Sequence, residues 1–412
     1  MPASEPGSQA PSFQRCLALA VALSMGAALS LGITRFAYGL LLSPMRSDLG
    51  WSYTLAGAMN TLNALGYLLG ALVTPKLLQH HSAARVLLGG SVLASVFMGL
   101  SGFFTDAAPL LVQRLLAGFA SALVFVAGGL MAARLGAMQP ARGGFLIGLY
   151  YGGTGFGIVL SALLVPAVLD AANTTTPASV HGWAWAWWAL AVACFAVTAV
   201  LLWPARVLSR LTPPSAPANG AATVVFTWKP FAFALAGYAM FGVGYIGYMT
   251  FVIALLREQG ASGPAITVFY ALLGVAVLVS PRIWAGLLDR YKGGQVLALL
   301  NALLGVATLL PALTSAWPVI LASGILFGAV FLSLVASTTA LVRHNLPQPA
   351  WGAGISAFTI VFAAGQIIGP TVVGWIADGP GGLARGLVFS ALALWMGAGL
   401  AWRQRALSTE KA

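Results

Sequence analysis

Apolar residues run in stretches of about twenty along most of the chain, interrupted by short polar turns. Twelve such segments stand out, near 16–42, 51–74, 85–104, 109–133, 142–167, 183–203, 230–256, 263–287, 295–313, 316–342, 351–376 and 386–402. A bilayer core of ~30 Å needs ~20 apolar residues as helix, so each is long enough to cross. Strict alternation of apolar and polar positions is absent. Only helices and closed barrels satisfy the backbone in lipid, so the pattern predicts helices, an all-α membrane protein. The 49 glycines suit helices that approach closely or bend.

Composition sharpens this picture. Of the 412 residues only 7% are charged, against ~25% in soluble domains. The net charge of +12 is of the sign that nucleic acid or anionic lipid attracts, but its distribution reports topology instead. Fifteen Lys and Arg, from Arg15 to Lys411, fall at turns on one side, and only Arg46, Arg257 and Arg385 on the other. By the positive-inside rule both termini are expected in the cytoplasm. Trp183, Trp185, Trp187 and Trp188 read as an aromatic belt at the outer interface. Cys16 and Cys194 sit inside apolar runs, so no disulfide framework, metal site or cofactor is implied. The first run is too long for a signal-peptide core and reads as a retained helix. The bilayer is the expected partner; nucleic acid and an obligate protein partner are not.

The longest polar interval, 204–229, is rich in Pro, Ala and Ser. It divides the chain into an expected disordered start at 1–13, a first bundle at 14–203, a cytoplasmic linker, a second bundle at 230–404 and a tail at 405–412. The halves resemble each other. Gly32-Ile33-Thr34-Arg35-Phe36-Ala37-Tyr38 aligns with Gly242-Val243-Gly244-Tyr245-Ile246-Gly247-Tyr248, 242 minus 32 giving an offset of 210. The same offset pairs Gly50 with Gly260 and Gly118 with Gly328, while Gly153 and Gly157 meet Gly365 and Gly369 at 212. A duplicated six-helix unit is the arrangement transporters use to rock about a midplane site.

Local motifs name a family. AGLLDRYKGG (285–294) resembles the G-x-x-x-D-R-x-G turn of the major facilitator superfamily, with Ala285 in place of the usual glycine. The first-half copy, PKLLQHHSAAR (75–85), has Gln79 and His80 instead of Asp and Arg. LVQRLLAGFASA (111–122) resembles the fourth-helix L-x-x-R-x-x-x-G motif through Arg114 and Gly118. GQIIGPTVVG (365–374) resembles the antiporter G-x-x-x-G-P motif but lies in the eleventh segment, whereas GGTGFGIV (152–159) in the fifth lacks the proline. ITRFAYGLLLSPM (33–45) and GVGYIGYMTF (242–251) resemble the bacterial YbfB/YjiJ-type branch. The resemblance implies twelve helices in two pseudo-symmetric bundles, alternating access, a bacterial inner membrane, and Asp289 and Arg290 as a cytoplasmic gate latch.

The chemistry centres on charge. Arg35 and Arg114 lie inside apolar runs, whereas all eight acids fall at or beyond run ends. A guanidinium at mid-bilayer costs roughly 2.5–3.5 kcal/mol on insertion scales and is seldom there without a use. With no side-chain carboxylate at that depth, the missing partner is expected to be a small organic anion. Nine residues before Pro44, Arg35 is placed ~13 Å below the outer end, level with Asn60 and near Asn63 and Arg114. These four are expected to form one polar cluster, answered by Tyr38, Tyr245 and Tyr248 and by Gln366 of the eleventh segment.

Bland readings stand beside these. In them Arg35 only bonds backbone carbonyls or a neighbouring helix, Arg114 clamps helices or reaches the surface, and Asn60 and Asn63 are interhelical glue. Arg282 either reaches the cytoplasm or adds a third anion contact. No G-x-x-x-x-G-K-[ST] motif is present, so energy must come from a gradient. With no buried carboxylate to carry a proton, the substrate's own acid group carries it or one anion exchanges for another. Efflux of lipophilic or cationic compounds is the alternative. A membrane enzyme or sensor is disfavoured, since His181 and His344 sit at segment ends away from any acid–base constellation.

Overall fold

The computed structural model describes residues 12–139, 142–175, 181–211, 226–347 and 350–407. Residues 1–11, 212–225 and 408–412, within the expected start, linker and tail, lie outside them. The described residues form helices and no strand. In chain order these are α1 (Phe13–Ala27), α2 (Tyr38–Leu49), α3 (Tyr53–His80), α4 (Ala83–Leu100), α5 (Ala107–Ala137), α6 (Gly143–Thr175) and α7 (Gly182–Leu211). The second half supplies α8 (Ala232–Glu258), α9 (Gly263–Arg290), α10 (Gln295–Leu313), α11 (Trp317–Asn345), α12 (Trp351–Ala377) and α13 (Gly382–Trp402). They make twelve spans long and apolar enough to cross a membrane, with α1 and α2 joined in the first, Phe13–Leu49. The fold is therefore the expected all-helical one.

Most helices overrun the apolar segments. Hydropathy sees only the lipid-embedded part, while hydrogen-bonded turns continue into water. α7 extends to Leu211, so the first eight residues of the 204–229 interval are helical. α9 reaches Arg290 and α3 reaches His80. Ser52, Ser82 and Ser262 start helices by accepting a bond from the backbone N–H three residues on, which satisfies one of the orphan donors there.

The internal repeat has a structural counterpart. Gly50 and Gly260 both terminate helices with positive φ, 66° and 84°, a left-handed cap that glycine adopts without a Cβ clash. A Cβ on Gly118 would lie 2.0 Å from the carbonyl of Asn63, and one on Gly328 would lie 2.3 Å from that of Leu273, the residue 210 positions later. Between the halves, α3 packs on α12, α6 on α9 and α2 on α8. Gly39 faces the backbone of Met249, its own repeat mate, so the pseudo-twofold axis passes there.

The first span is not the single helix that the run 16–42 predicts. Residues Ala28–Ile33 form a π-helix, followed by a turn to α2. Thr34 N–H bonds the Leu29 carbonyl at 3.0 Å, five residues back, and its Oγ1 bonds the same carbonyl at 2.7 Å. Ser30 and Ser121 of α5 exchange bonds to each other's carbonyls at 2.8 and 2.6 Å, holding the widened turn. Such bulges arise where a side chain enters the helix ladder, and they recur at functional sites. Arg35 sits immediately after it.

Candidate functional site

The helical run continues past Pro44 to Leu49, which changes the depths. Arg35 is fourteen residues from that end, ~21 Å at 1.5 Å per residue, near the middle of the membrane. Asn60 and Arg114 are each seven residues from the start of their helices, ~10 Å in. The expected single cluster is thus two layers. We call the end carrying Leu49 and Ala377 the far end, and the end carrying Phe13 and Trp402 the basic end.

The upper layer surrounds Arg114, whose side chain is 1% exposed. Its Nη1 donates to the Thr34 carbonyl at 2.8 Å and its Nη2 to Asn60 Oδ1 at 3.0 Å. The guanidinium lies 5.0 Å from the Tyr38 ring centroid and 5.7 Å from that of Trp187. Asn60 Nδ2 passes the chain of bonds to Thr250 Oγ1 across the halves, at 2.8 Å. Asn63 donates to the Arg114 carbonyl at 3.1 Å, and the Tyr38 hydroxyl to the Ala56 carbonyl at 2.9 Å. Arg114 is thus tied to the broken first span and to α3. These are helix-clamping bonds, and Asn63 is interhelical glue in this structure.

The lower layer holds Arg35, 2% exposed. Its Nη2 donates to Oε1 of Gln366, on α12 of the opposite half. Its Nε has no partner among the described residues, and its guanidinium lies 5.8 Å from the Tyr67 ring centroid. Tyr67, which the sequence analysis does not single out, is four residues beyond Asn63 on the same face of α3, a spacing visible in the sequence. Beside it, Tyr245 stacks with Phe241 at 4.8 Å, Phe331 at 5.2 Å and Phe362 at 5.5 Å, an aromatic wall from α8, α11 and α12. Tyr248 does not join them. It stacks on Phe327 at 4.1 Å and shares a 2.7 Å hydrogen bond with Ser323, both of α11, since three residues on from Tyr245 the helix has turned its side chain about 60° to one side.

No carboxylate partners either guanidinium: among the described residues the one close acid–base pair is His181 with Asp48, at 2.5 Å. Asp289 and Arg290 are exposed at the end of α9 and make no hydrogen bond or ion pair to each other or to a facing helix among the described residues. The latch present in this structure is elsewhere. At the far end Asp378, just past α12, accepts from Tyr53 N–H at 2.7 Å, Thr54 N–H at 2.9 Å and Thr54 Oγ1 at 2.6 Å. Tyr53 donates to Glu258 of α8, and the Arg46 guanidinium lies 3.7 Å from the Tyr53 ring centroid. Desolvation pushes the Asp378 carboxyl up, but the Thr54 and Tyr53 bonds and Arg46 outweigh it and hold the group below its ordinary value. Among the described residues, every hydrogen bond between the halves lies at the level of Arg35 or nearer the far end, so this is a state closed at that end.

A duplicated six-helix bundle is a transporter architecture, and known proteins of that kind match the chain. The family model "Uncharacterised MFS-type transporter YbfB" matches residues 27–402. The chain belongs to that family of the major facilitator superfamily. It is a multi-pass integral membrane protein of a transporter family, not an enzyme. No curated protein matches it. Solved structures share the fold at low identity. A bacterial homolog of the human lysosomal transporter Spinster, inward-facing and unoccupied, gives a TM-score of 0.72 at 15% identity, covering 95% of this chain and 97% of its own. The nucleoside transporter NupG gives 0.69 at 14%, covering 94% and 100%. The E. coli fucose:proton symporter FucP gives 0.58 at 16%, covering 95% and 99%.

Proposed function

We propose that this MFS chain is a secondary transporter that moves a small organic anion by alternating access, with Arg35 as the anion contact. One observation carries the reading: a buried guanidinium at mid-membrane, bonded to a neutral amide of the other half and facing no carboxylate. An unpaired charge there is costly, and a carboxylate or sulfonate would offset it. A planar guanidinium grips such a group with two parallel bonds, which an ammonium cannot reproduce. Gln366 holds the place of that anion when it is absent. The aromatic wall of Phe241, Tyr245, Phe331 and Phe362 suits an anion with an apolar body. Arg114 acts at one remove, by fixing the turn that presents Arg35. The far end faces outside, the basic end the cytoplasm of a bacterial inner membrane, and the substrate enters or leaves with its own proton or by exchange.

The test is a thermal-shift screen of purified protein against carboxylates, sulfonates, phosphates and cationic dyes, followed by uptake into liposomes. Arg35→Lys should lose most transport although the charge remains, and Arg35→Ala should lose anion-induced stabilisation, both in protein shown to be folded. Binding of cations or neutral lipophiles alone would replace this reading by efflux.

A further inference from the structure

The basic end of the second half carries a feature that transport does not use. Where the turn Lys229–Phe231 enters α8 and α13 ends, a pocket of about 700 Å³ opens to the surface, lined by Lys229, Phe233, Trp402, Arg403 and Arg405. We propose that this pocket binds the phosphodiester headgroup of an anionic phospholipid. Three cations converge there, and none has an ion-pair partner among the described residues. The volume suits a headgroup, within the ~300–1,000 Å³ usual for small-ligand sites.

Its position selects a lipid. The pocket lies at the ends of two membrane-spanning helices, the level of headgroups. Trp402 is 68% exposed at its lip, with Trp228 and Phe233 also exposed nearby, the amphipathic ring pattern of a membrane interface. Basic pockets between helix ends are a recurrent form of anionic-lipid recognition. The floor is built, not frayed: Gln404 donates to the Pro230 carbonyl at 2.9 Å and accepts from Ala234 N–H at 3.2 Å, joining α13 to the start of α8. The Gln404 carbonyl also accepts from Gly294 N–H at 2.9 Å, and Leu407 N–H donates to Asn345 Oδ1 at 2.7 Å. Both arginines are therefore carried on a backbone fixed against α8, α10 and α11. A groove between α1 and α7 in the first half is lined without any cation. It has Trp203 at one end, with Gln14 and apolar side chains beside it.

The experiment compares wild type with the triple variant Lys229→Gln, Arg403→Gln, Arg405→Gln. Native mass spectrometry counts phosphatidylglycerol retained after delipidation, and melting is followed with phosphatidylglycerol, phosphatidylcholine or inorganic phosphate added. Wild type should keep one phosphatidylglycerol more than the variant and gain several degrees from that lipid but not from phosphatidylcholine. A second variant, Arg206→Gln with Arg210→Gln, removes charge from α7 outside the pocket and should keep the lipid. The single variant Arg403→Gln, with partial loss expected, serves if the triple variant does not fold. Equal retention by wild type and pocket variants, or equal loss in the α7 variant, overturns the proposal. Stabilisation by inorganic phosphate alone, without lipid, also overturns it by assigning the pocket to a soluble anion.

Discussion

Among the described residues, Arg35 and Gln366 form the one bond in which a buried charge of the first half meets a neutral group of the second at mid-membrane. If Gln366 marks where the anion sits, Gln366→Glu installs a permanent counter-ion of nearly the same shape. That variant should melt higher than wild type without ligand, since a paired guanidinium replaces an unpaired one, and should lose anion-induced stabilisation by tenfold or more in apparent affinity. A Gln366→Glu protein that binds anions as wild type does would place the site elsewhere. The sequence made both arginines visible as charges in apolar runs, and the missing acids pointed to a ligand. It did not show that they do different work. Arg114 is tied to Thr34 and Asn60, and Arg35 is left with Gln366, because a π-turn between Ala28 and Ile33 rotates and lowers everything after it. A bulge held by Ser30, Thr34 and Ser121 depends on partners ninety-one positions apart, which no local pattern reveals.

At the scale of elements, the state is set by how α3 meets α12. Asp378 caps the start of α3 from across the halves, where the helix dipole favours an anion. A carboxyl held below its ordinary value stabilises the state that holds it above the ordinary carboxylate pKa, and that contribution fades as pH falls through the lowered value. Acid on the far side should therefore loosen this closure. Because the carboxylate is largely exposed, the effect is a few-fold shift in population rather than unfolding. Asp378→Ala should mimic it at neutral pH, raising several-fold the labelling rate of a cysteine placed at Thr61, beneath the latch. An unchanged rate would remove Asp378 from the gate. Gly57 offers a steric counterpart, since a Cβ there would lie 2.2 Å from the Pro370 carbonyl. Gly57→Leu should be unable to close the far end and should show far-side labelling even above neutral pH. The helices themselves were legible as apolar runs. The latch was not, because Tyr53, Glu258 and Asp378 are ordinary interfacial residues until the halves are brought together.

For the whole molecule, the two ends must exchange roles during transport. Here the far end is sealed and Asp289 and Arg290 make no bond to a facing helix among the described residues, and we propose that they engage in the opposite state, where the basic end closes. An acid beside a facing helix terminus gains charge-assisted bonds only when the halves approach there. Asp289→Asn should accordingly leave the melting temperature of the far-closed form nearly unchanged. It should enrich that form and lower turnover several-fold, with anion binding largely kept. On this proposal the two halves are unequal: the first-half counterpart of Asp289 and Arg290 is Gln79 and His80, which leaves the second-half pair to serve the basic end. Spin labels across each end would then separate the two gates. Asp378→Ala should widen only the far-end distance distribution and Asp289→Asn only the basic-end one. If both variants moved the same distance, the two gates would not be the opposed halves of one rocking cycle.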